Sequence, residues 1–426
     1  MERKKFKIII FLSILFIISC SKDNEESNGG SPDSDPVVVD DSNSGVIEHV
    51  KTFGGSNNDS AQSIVSTIDG GYAILGYTQS IDGDVTGKLD DSFDFWLLKY
   101  SADDILEWKK TYGGTADDRG FGLVHTQDGG YVLTGRTNSI DGDITENAGF
   151  EDYWALKISP SGDIVWQKTF GFQGSDVSSS VIETNEGGYL FVGVLDVTAS
   201  GGEGDTVRLS SERHAGGDYW AVKVDDGGET EWTKYFGGSF TDTAEGVVQT
   251  QDNGFLIAGW SDSDDFDINS TKGGYDFWIV KISSLGILEW EKNYGGSELD
   301  EAFGITESGD GNYLITGGIR SSDVDVTENK GGADFWLIKI SPAGDLIWQK
   351  SYGGSEFDVA KSVSRTKDGG FVLAGSSRSQ DGDVTLNQGQ NDGWVIKIDS
   401  NGELKWEVSF GGSNICLLYT SPSPRD

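Results

Sequence analysis

The sequence predicts an all-β fold, a β-propeller of four-stranded antiparallel blades, and three observations carry that expectation. A motif that opens with an aromatic residue and a glycine recurs at Phe53, Tyr112, Phe170, Phe236, Tyr294, Tyr352 and Phe410, delimiting six complete repeats. Twelve of the thirteen tryptophans fall at two fixed positions of that repeat. Each repeat also carries four short β-forming runs, in the second copy Gly122 to Thr126, Tyr131 to Thr137, Tyr153 to Ile158 and Ile164 to Phe170, each near the usual strand length. A period of this size marks units that bury their faces on their neighbours, and four antiparallel strands per unit is the make-up of a propeller blade.

The chain begins with a different signal. Arg3, Lys4, Lys5 and Lys7 flank an apolar run from Phe6 to Ile18, which is too short to span a bilayer and reads as a secretory signal peptide. The run closes on Ile17-Ile18-Ser19-Cys20. That tetrapeptide resembles the lipobox of bacterial lipoproteins, and the resemblance implies that residues 1–19 are removed and that Cys20 is acylated. Residues 20–45 are then a lipidated cysteine and a polar, acidic tether with almost no large apolar side chains, which cannot repay the entropy of ordering. As a flexible coil it reaches about 25 to 30 Å. The acidic stretch after Cys20 resembles the export signals of some Gram-negative surface lipoproteins, which implies the outer membrane and its outer face.

Residues 46–412 form the propeller. Asp-Gly-Gly at 69–71, 128–130 and 368–370 joins the first and second strand runs, glycine supplying the positive φ that tight hairpins demand. The frame GGSxxD…DGGY…G resembles the SBBP-type bacterial β-propeller repeat, and the Gly-x-x-x-Trp ending resembles quinoprotein-like repeats. Both imply a propeller, and neither fixes an activity. The tryptophans Trp96, Trp154, Trp220, Trp278, Trp336 and Trp394 on the third strand, and Trp108, Trp166, Trp232, Trp290, Trp348 and Trp406 on the fourth, read as packing between blades, since each buries a large area. Lys99, Lys157, Lys223, Lys281, Lys339 and Lys397 read as outward-facing strand residues or as partners for repeat carboxylates.

Residues 45–53 align with the fourth strand of a repeat, His49 standing at the Trp position, so the chain opens with a spare outer strand. The repeat stops at residue 412, and residues 413–426, ending ICLLYTSPSPRD, match nothing in it. That tail resembles adapter-derived sequence on a truncated gene, and the expectation is seven blades in an intact protein.

A net charge of −38, from 70 acidic and 32 basic residues, opposes binding to phosphate backbones. Two cysteines, Cys20 and Cys416, give no disulfide framework. The loops between second and third strands and the crossings between blades are expected on one face, making it acidic. The loops carry Asp82 and Asp84, Asp141 and Asp143, Asp265 and Asp267, Asp323 and Asp325, Asp381 and Asp383. Such spaced carboxylates either supply hard oxygen ligands to calcium or accept hydrogen bonds from loop amides. Ligand residues, unlike scaffold ones, should vary between repeats. Two positions just past the second-strand glycine do, giving Tyr77, Arg136, Trp260, Asp262, Arg320 and Arg378 as binding candidates. An insertion at 207–216 adds Arg208, Arg213 and His214.

The three histidines make no metal or nucleophile signature. The functional expectation is a non-catalytic module that binds a glycan or an envelope protein. The rivals are a glycan-processing enzyme and a structural component of an envelope complex.

Overall fold

The computed structural model describes residues 50–205 and 214–412, together with the backbone of two short strands, Ile17–Cys20 and Cys416–Tyr419. Six four-stranded antiparallel sheets follow one another along the chain, each built from consecutive strands. They are blade 1 (59–112), blade 2 (118–170), blade 3 (177–236), blade 4 (242–294), blade 5 (300–352) and blade 6 (358–410). Blade 4 shows the plan, with strands Asp242–Gln249, Phe255–Ser261, Asp276–Ile282 and Leu288–Tyr294. The only helix among the described residues is the single turn Val197–Ser200 in the blade 3 loop.

Burial explains the strand sequences. The third strand, Asp276–Ile282 in blade 4, is buried at every residue, because both its faces meet neighbouring blades. It therefore reads as a continuous apolar run. The outer strand Leu288–Tyr294 is only partly covered and tolerates the charges of its LEWEKNY sequence. The first strand starts earlier than the β-run suggests, at Asp118 rather than Gly122 in blade 2. Asp118 N–H donates to Phe93 O of blade 1, and its carboxylate accepts from Gly114 N at 2.8 Å and Ser139 Oγ at 2.9 Å. A polar residue at a strand start was thus mistaken for loop.

The strand lysines are buried, not outward-facing, and act as partners for repeat carboxylates. Lys99 bonds Asp69 at 2.8 Å, Lys157 bonds Asp128 at 2.8 Å, and Lys397 bonds Asp368 at 2.8 Å. Each ties the third strand to the turn joining strands one and two. In blade 3 that turn has no Asp, and Lys223 turns to Glu231 at 3.0 Å.

The blades interlock through one aromatic contact. Phe95 meets Trp154 at 4.6 Å, Tyr153 meets Trp220 at 4.7 Å, Tyr219 meets Trp278 at 4.5 Å, Phe277 meets Trp336 at 4.7 Å and Phe335 meets Trp394 at 4.5 Å, each pair spanning two blades. These pairs sit inside apolar cores shared by adjacent blades, one for each junction from blades 1 and 2 through to blades 5 and 6. Blades 6 and 1 do not share such a core. The sheet formed by Ile17–Cys20 and Cys416–Tyr419 lies between them.

Each junction also holds two buried aspartates, one opening a third strand and one opening the next blade. Both lie beside the glycine of the aromatic-Gly motif. A Cβ at Gly295 would stand 2.2 Å from Asp276 Oδ1 and 2.8 Å from Asp300 Oδ2, so glycine is required there by the carboxylates rather than by its own φ.

Candidate functional site

The loops that follow the second strands and the crossings between blades do share one face. Each of the ten paired aspartates accepts a hydrogen bond from a loop amide. Asp82 Oδ1 accepts Ser56 N at 2.8 Å, Asp141 Oδ1 accepts Thr115 N at 2.8 Å, Asp265 Oδ1 accepts Ser239 N at 2.8 Å, Asp323 Oδ1 accepts Ser297 N at 2.8 Å and Asp381 Oδ1 accepts Ser355 N at 2.7 Å. The second member of each pair, Asp84, Asp143, Asp267, Asp325 or Asp383, accepts the first motif glycine, as Asp143 does from Gly113 N at 3.1 Å. Lys272 and Lys330 also bond Asp325 and Asp383, and His214 reaches Asp267 Oδ2 at 3.8 Å. The described residues form no group of three or more His, Cys, Asp or Glu side chains arranged to hold a metal. Calcium added to metal-stripped protein is expected to give neither heat nor a shift in unfolding midpoint, because one oxygen of each of these carboxylates already accepts a loop amide.

The variable positions separate into two kinds. Several are occupied by neighbours that the sequence reading missed, at the residue just before the third strand. Tyr77 packs on Phe93 at 5.4 Å and on Phe121 of blade 2, with the Arg119 guanidinium over Phe93 at 4.2 Å. Arg136 is ion-paired to buried Glu151, which also accepts Ser175 Oγ. Trp260 lies against Tyr275 at 4.5 Å, and Asp262 accepts Thr241 N at 2.7 Å. Tyr77 and Arg136 are held at blade junctions, while Trp260 and Asp262 contact neighbours in blade 4 and the crossing that leads into it. A complementary change at the position fifteen or sixteen residues on (Phe93, Glu151, Tyr275) was the signal available in the sequence.

Arg320 and Arg378 are brought together. Both guanidinium groups lie over the ring of Phe357, at 5.4 and 5.7 Å. Arg320 follows the second strand of blade 5, Arg378 that of blade 6, and Phe357 sits on the crossing between them. The backbone fixes this arrangement: Arg378 N donates to Phe357 O at 2.9 Å, and Arg320 N donates to Leu299 O at 3.1 Å and Asp300 Oδ1 at 3.0 Å. A Cβ at Gly332 would stand 2.9 Å from the Phe357 ring, so glycine lets the ring lie flat on the loop. Neither guanidinium has a carboxylate partner among the described residues, whereas Arg119, Arg136 and most of the lysines do.

Beside this cluster an open pocket of about 570 Å³ is lined by Glu356, Arg378, Gln380, Asp381 and Gln390, with Ser355 and Gly389 at its walls. Guanidinium and amide groups donate to ligand carboxylates or hydroxyls, while the carboxylates accept only from ligand hydroxyls.

A second group missed from sequence stands on the innermost strands. Each first strand has one residue bulged out of its ladder: Gln62, Phe121, Ser179, Glu245, Phe303 and Lys361. Lys361 lies over the Phe303 ring at 3.1 Å. Burial lowers its pKa, while Glu245 and Glu301, from two other blades, act in the opposite sense. Burial raises Glu245 to about 7. These side chains meet across the axis only because the blades close around it.

Of the 207–216 insertion, Arg208 and Arg213 lie outside the described residues, and His214 Nδ1 contacts Asp218 Oδ2 at 2.5 Å. The side chain of Cys20 also lies outside them.

No protein-family model matches this sequence, and no curated protein does. Among solved structures, Sqt1 from Chaetomium thermophilum is similar at 11% identity and a TM-score of 0.41, covering 82% of this chain and 71% of that one. A cobalt-substituted Synechocystis ACO is similar at 11% identity and a TM-score of 0.38, covering 85% of this chain and 95% of the other. Likeness at this level carries nothing about activity.

Proposed function

We propose that this propeller is a recognition module of a bacterial cell envelope, tethered to the outer membrane through Cys20, and that it binds a carboxylate-bearing glycan at the junction of blades 5 and 6. The observation that carries the reading is the pair of guanidinium groups on Phe357, without a carboxylate partner among the described residues, beside a polar pocket in a chain of net charge −38. An aromatic face gives a sugar ring its apolar contact, and guanidinium forks match carboxylate geometry. Acidic charge elsewhere on the chain is screened beyond about 8 Å at physiological ionic strength, whereas Glu356 and Asp381 line the pocket itself, so the ligand's carboxylate belongs on the Arg320 and Arg378 side and its hydroxyls on the Glu356 and Asp381 side. No reaction is required by this reading.

The test is a glycan array spanning neutral and uronate-containing oligosaccharides, read with the full chain and three variants. Arg320→Ala, Arg378→Ala and Phe357→Ala should each weaken binding at least tenfold, about 1.4 kcal/mol. Trp260→Ala, which removes a ring packed on Tyr275, should leave affinity unchanged. An array blank for the parent chain overturns the glycan and makes an envelope protein the partner, since Arg and aromatic clusters are also protein hot spots. Turnover of any bound glycan would instead make the chain a processing enzyme. Membrane attachment is tested separately: Cys20→Ser should release the chain from the membrane fraction.

A further inference from the structure

The residue at the centre of each aspartate pair is held in a left-handed conformation. Gly83, Gly142 and Gly382 stand there in blades 1, 2 and 6, at φ of +66°, +67° and +67°. A Cβ on any of them would lie 2.3 to 2.5 Å from the carbonyl oxygen of the crossing glycine, Gly54, Gly113 or Gly353. Glycine is therefore the residue this turn requires. Blades 4 and 5 do not supply it. Phe266 occupies the same position at φ +53° and Val324 at φ +58°, where a bulky or β-branched residue is a steric outlier.

Nothing inside the fold offsets that strain. Val324 is 66% exposed and Phe266 55% exposed, and the one ring against Phe266 among the described residues is His214, at 4.6 Å. An apolar loop tip does not need the strained position. Blades 1 and 2 carry Ile81 and Ile140 one residue before the pair, both exposed and neither at positive φ. In blades 4 and 5 that earlier slot is polar, Asp264 and Ser322, and the apolar side chain stands between the two aspartates instead. Strain that the surrounding packing does not explain is characteristic of contact and ligand sites.

The charge around the two tips limits what can cover them. Asp264 and Glu328 on the same loops, and Glu298 on the crossing between them, are exposed and have no cationic partner among the described residues. The lysines of this sector are already committed, Lys272 to Asp325 and Lys330 to Asp383. Apolar tips set among such carboxylates repel phosphate and anionic lipid and complement Lys and Arg side chains. Cationic and apolar groups on one ligand are the chemistry of a basic protein segment.

We infer that the loops of blades 4 and 5 form a docking surface for a basic segment of a partner protein. Phe266 and Val324 are its apolar anchors, and Asp264, Glu298 and Glu328 its counter-charges. The surface is distinct from the cluster of Arg320, Phe357 and Arg378, which takes the opposite charge, and it does not depend on a glycan binding there.

The test uses the full chain and two labelled synthetic peptides of equal positive charge, one alternating lysine with leucine and the other lysine with serine, read by fluorescence anisotropy. The leucine peptide should bind at least tenfold more tightly than the serine peptide. Phe266→Gly combined with Val324→Gly should abolish that preference and leave the affinity for the serine peptide unchanged. Asp264→Asn combined with Glu298→Gln should weaken both peptides alike. Because glycine relieves left-handed strain, the glycine variant should unfold at the midpoint of the parent or a few degrees above it. Equal affinity of the two peptides for the parent, or an unchanged preference in the glycine variant, overturns the surface. A lowered midpoint would show the strain offset inside the fold and overturns it too. Concentration-dependent dimers of the parent that the glycine variant lacks would make a second copy the occupant, and parent-only binding to phosphatidylcholine vesicles would make it a lipid surface; either result overturns the basic segment.

Discussion

Trp278→Ala is expected to destabilise the protein by about 3 to 5 kcal/mol, the range for removing a large ring from a packed core. Trp278 is fully buried, its ring meets Tyr219 of blade 3 at 4.5 Å, and its Nε1 donates to Glu291 Oε2 at 3.0 Å. Tyr219 OH in turn donates to Trp278 O at 2.9 Å, so the cavity would open where two blades are held together. Trp96→Ala should cost much less. Trp96 holds the same repeat position but has no ring across the blade 6 to blade 1 gap among the described residues. Urea unfolding of the two variants measures the difference, and equal losses would mean that the interlock between blades contributes little.

Stability should fall as pH rises from 5 to 8, and the buried aspartates of the blade junctions are the reason. Burial raises Asp94, Asp176 and Asp242 to about 7, and Asp276 and Asp334 to about 6. The partner carboxylates add to this, Asp118 for Asp94, Asp152 for Asp176, Asp300 for Asp276 and Asp358 for Asp334. Asp276 Oδ1 and Asp334 Oδ1 are buried and accept no hydrogen bond among the described residues, as fits a carboxyl that keeps its proton. A group whose folded pKa exceeds its unfolded one, near 3.9, stabilises fully at low pH and loses that contribution as pH passes the folded pKa. At about 1.4 kcal/mol for each pH unit between the two pKa values, one carboxyl held at about 6 costs on the order of 2 to 3 kcal/mol to ionise.

An opposing acid limb comes from the turn aspartates. Asp128 and Asp368 are brought down to about 2: burial acts to raise them, but hydrogen bonds from Lys157 and Lys397 and from nearby hydroxyls and amides outweigh it. Their contribution is present above pH 4 and disappears as pH falls through 4 towards 2. The unfolding midpoint should therefore peak near pH 4, where the acid limb ends and the decline begins. Replacing both Asp276 and Asp334 with Asn should flatten the decline between pH 5 and pH 8. A midpoint that holds or rises over that interval in the parent chain would refute the assignment.

The fold was largely legible because its determinants are local and repeated. Trp at two fixed positions, Asp-Gly-Gly turns and alternating β-runs specify one blade, and the frame repeats that specification six times. The first-strand boundary was not legible, because Asp118 begins its strand by bonding residues of the preceding blade and of its own distant loop. The site was legible in part. Variation between repeats pointed to Arg320 and Arg378, but equally to Tyr77, Arg136 and Trp260, which are packed or ion-paired with the residue just before the third strand.

What the sequence determined by itself is the blade: its four strands, its turns and its tryptophan frame. Those features depend on residues within one period of each other. Only the tertiary structure decided which variable residues are free, which aspartates share a junction, and that Phe357 lies between two arginines from different blades. It also decided that Glu245, Glu301, Phe303 and Lys361 meet at the axis, and that blades 6 and 1 share no apolar core. Each of these is a relation between blades, set by closure around a common axis, and no spacing within a single repeat encodes it.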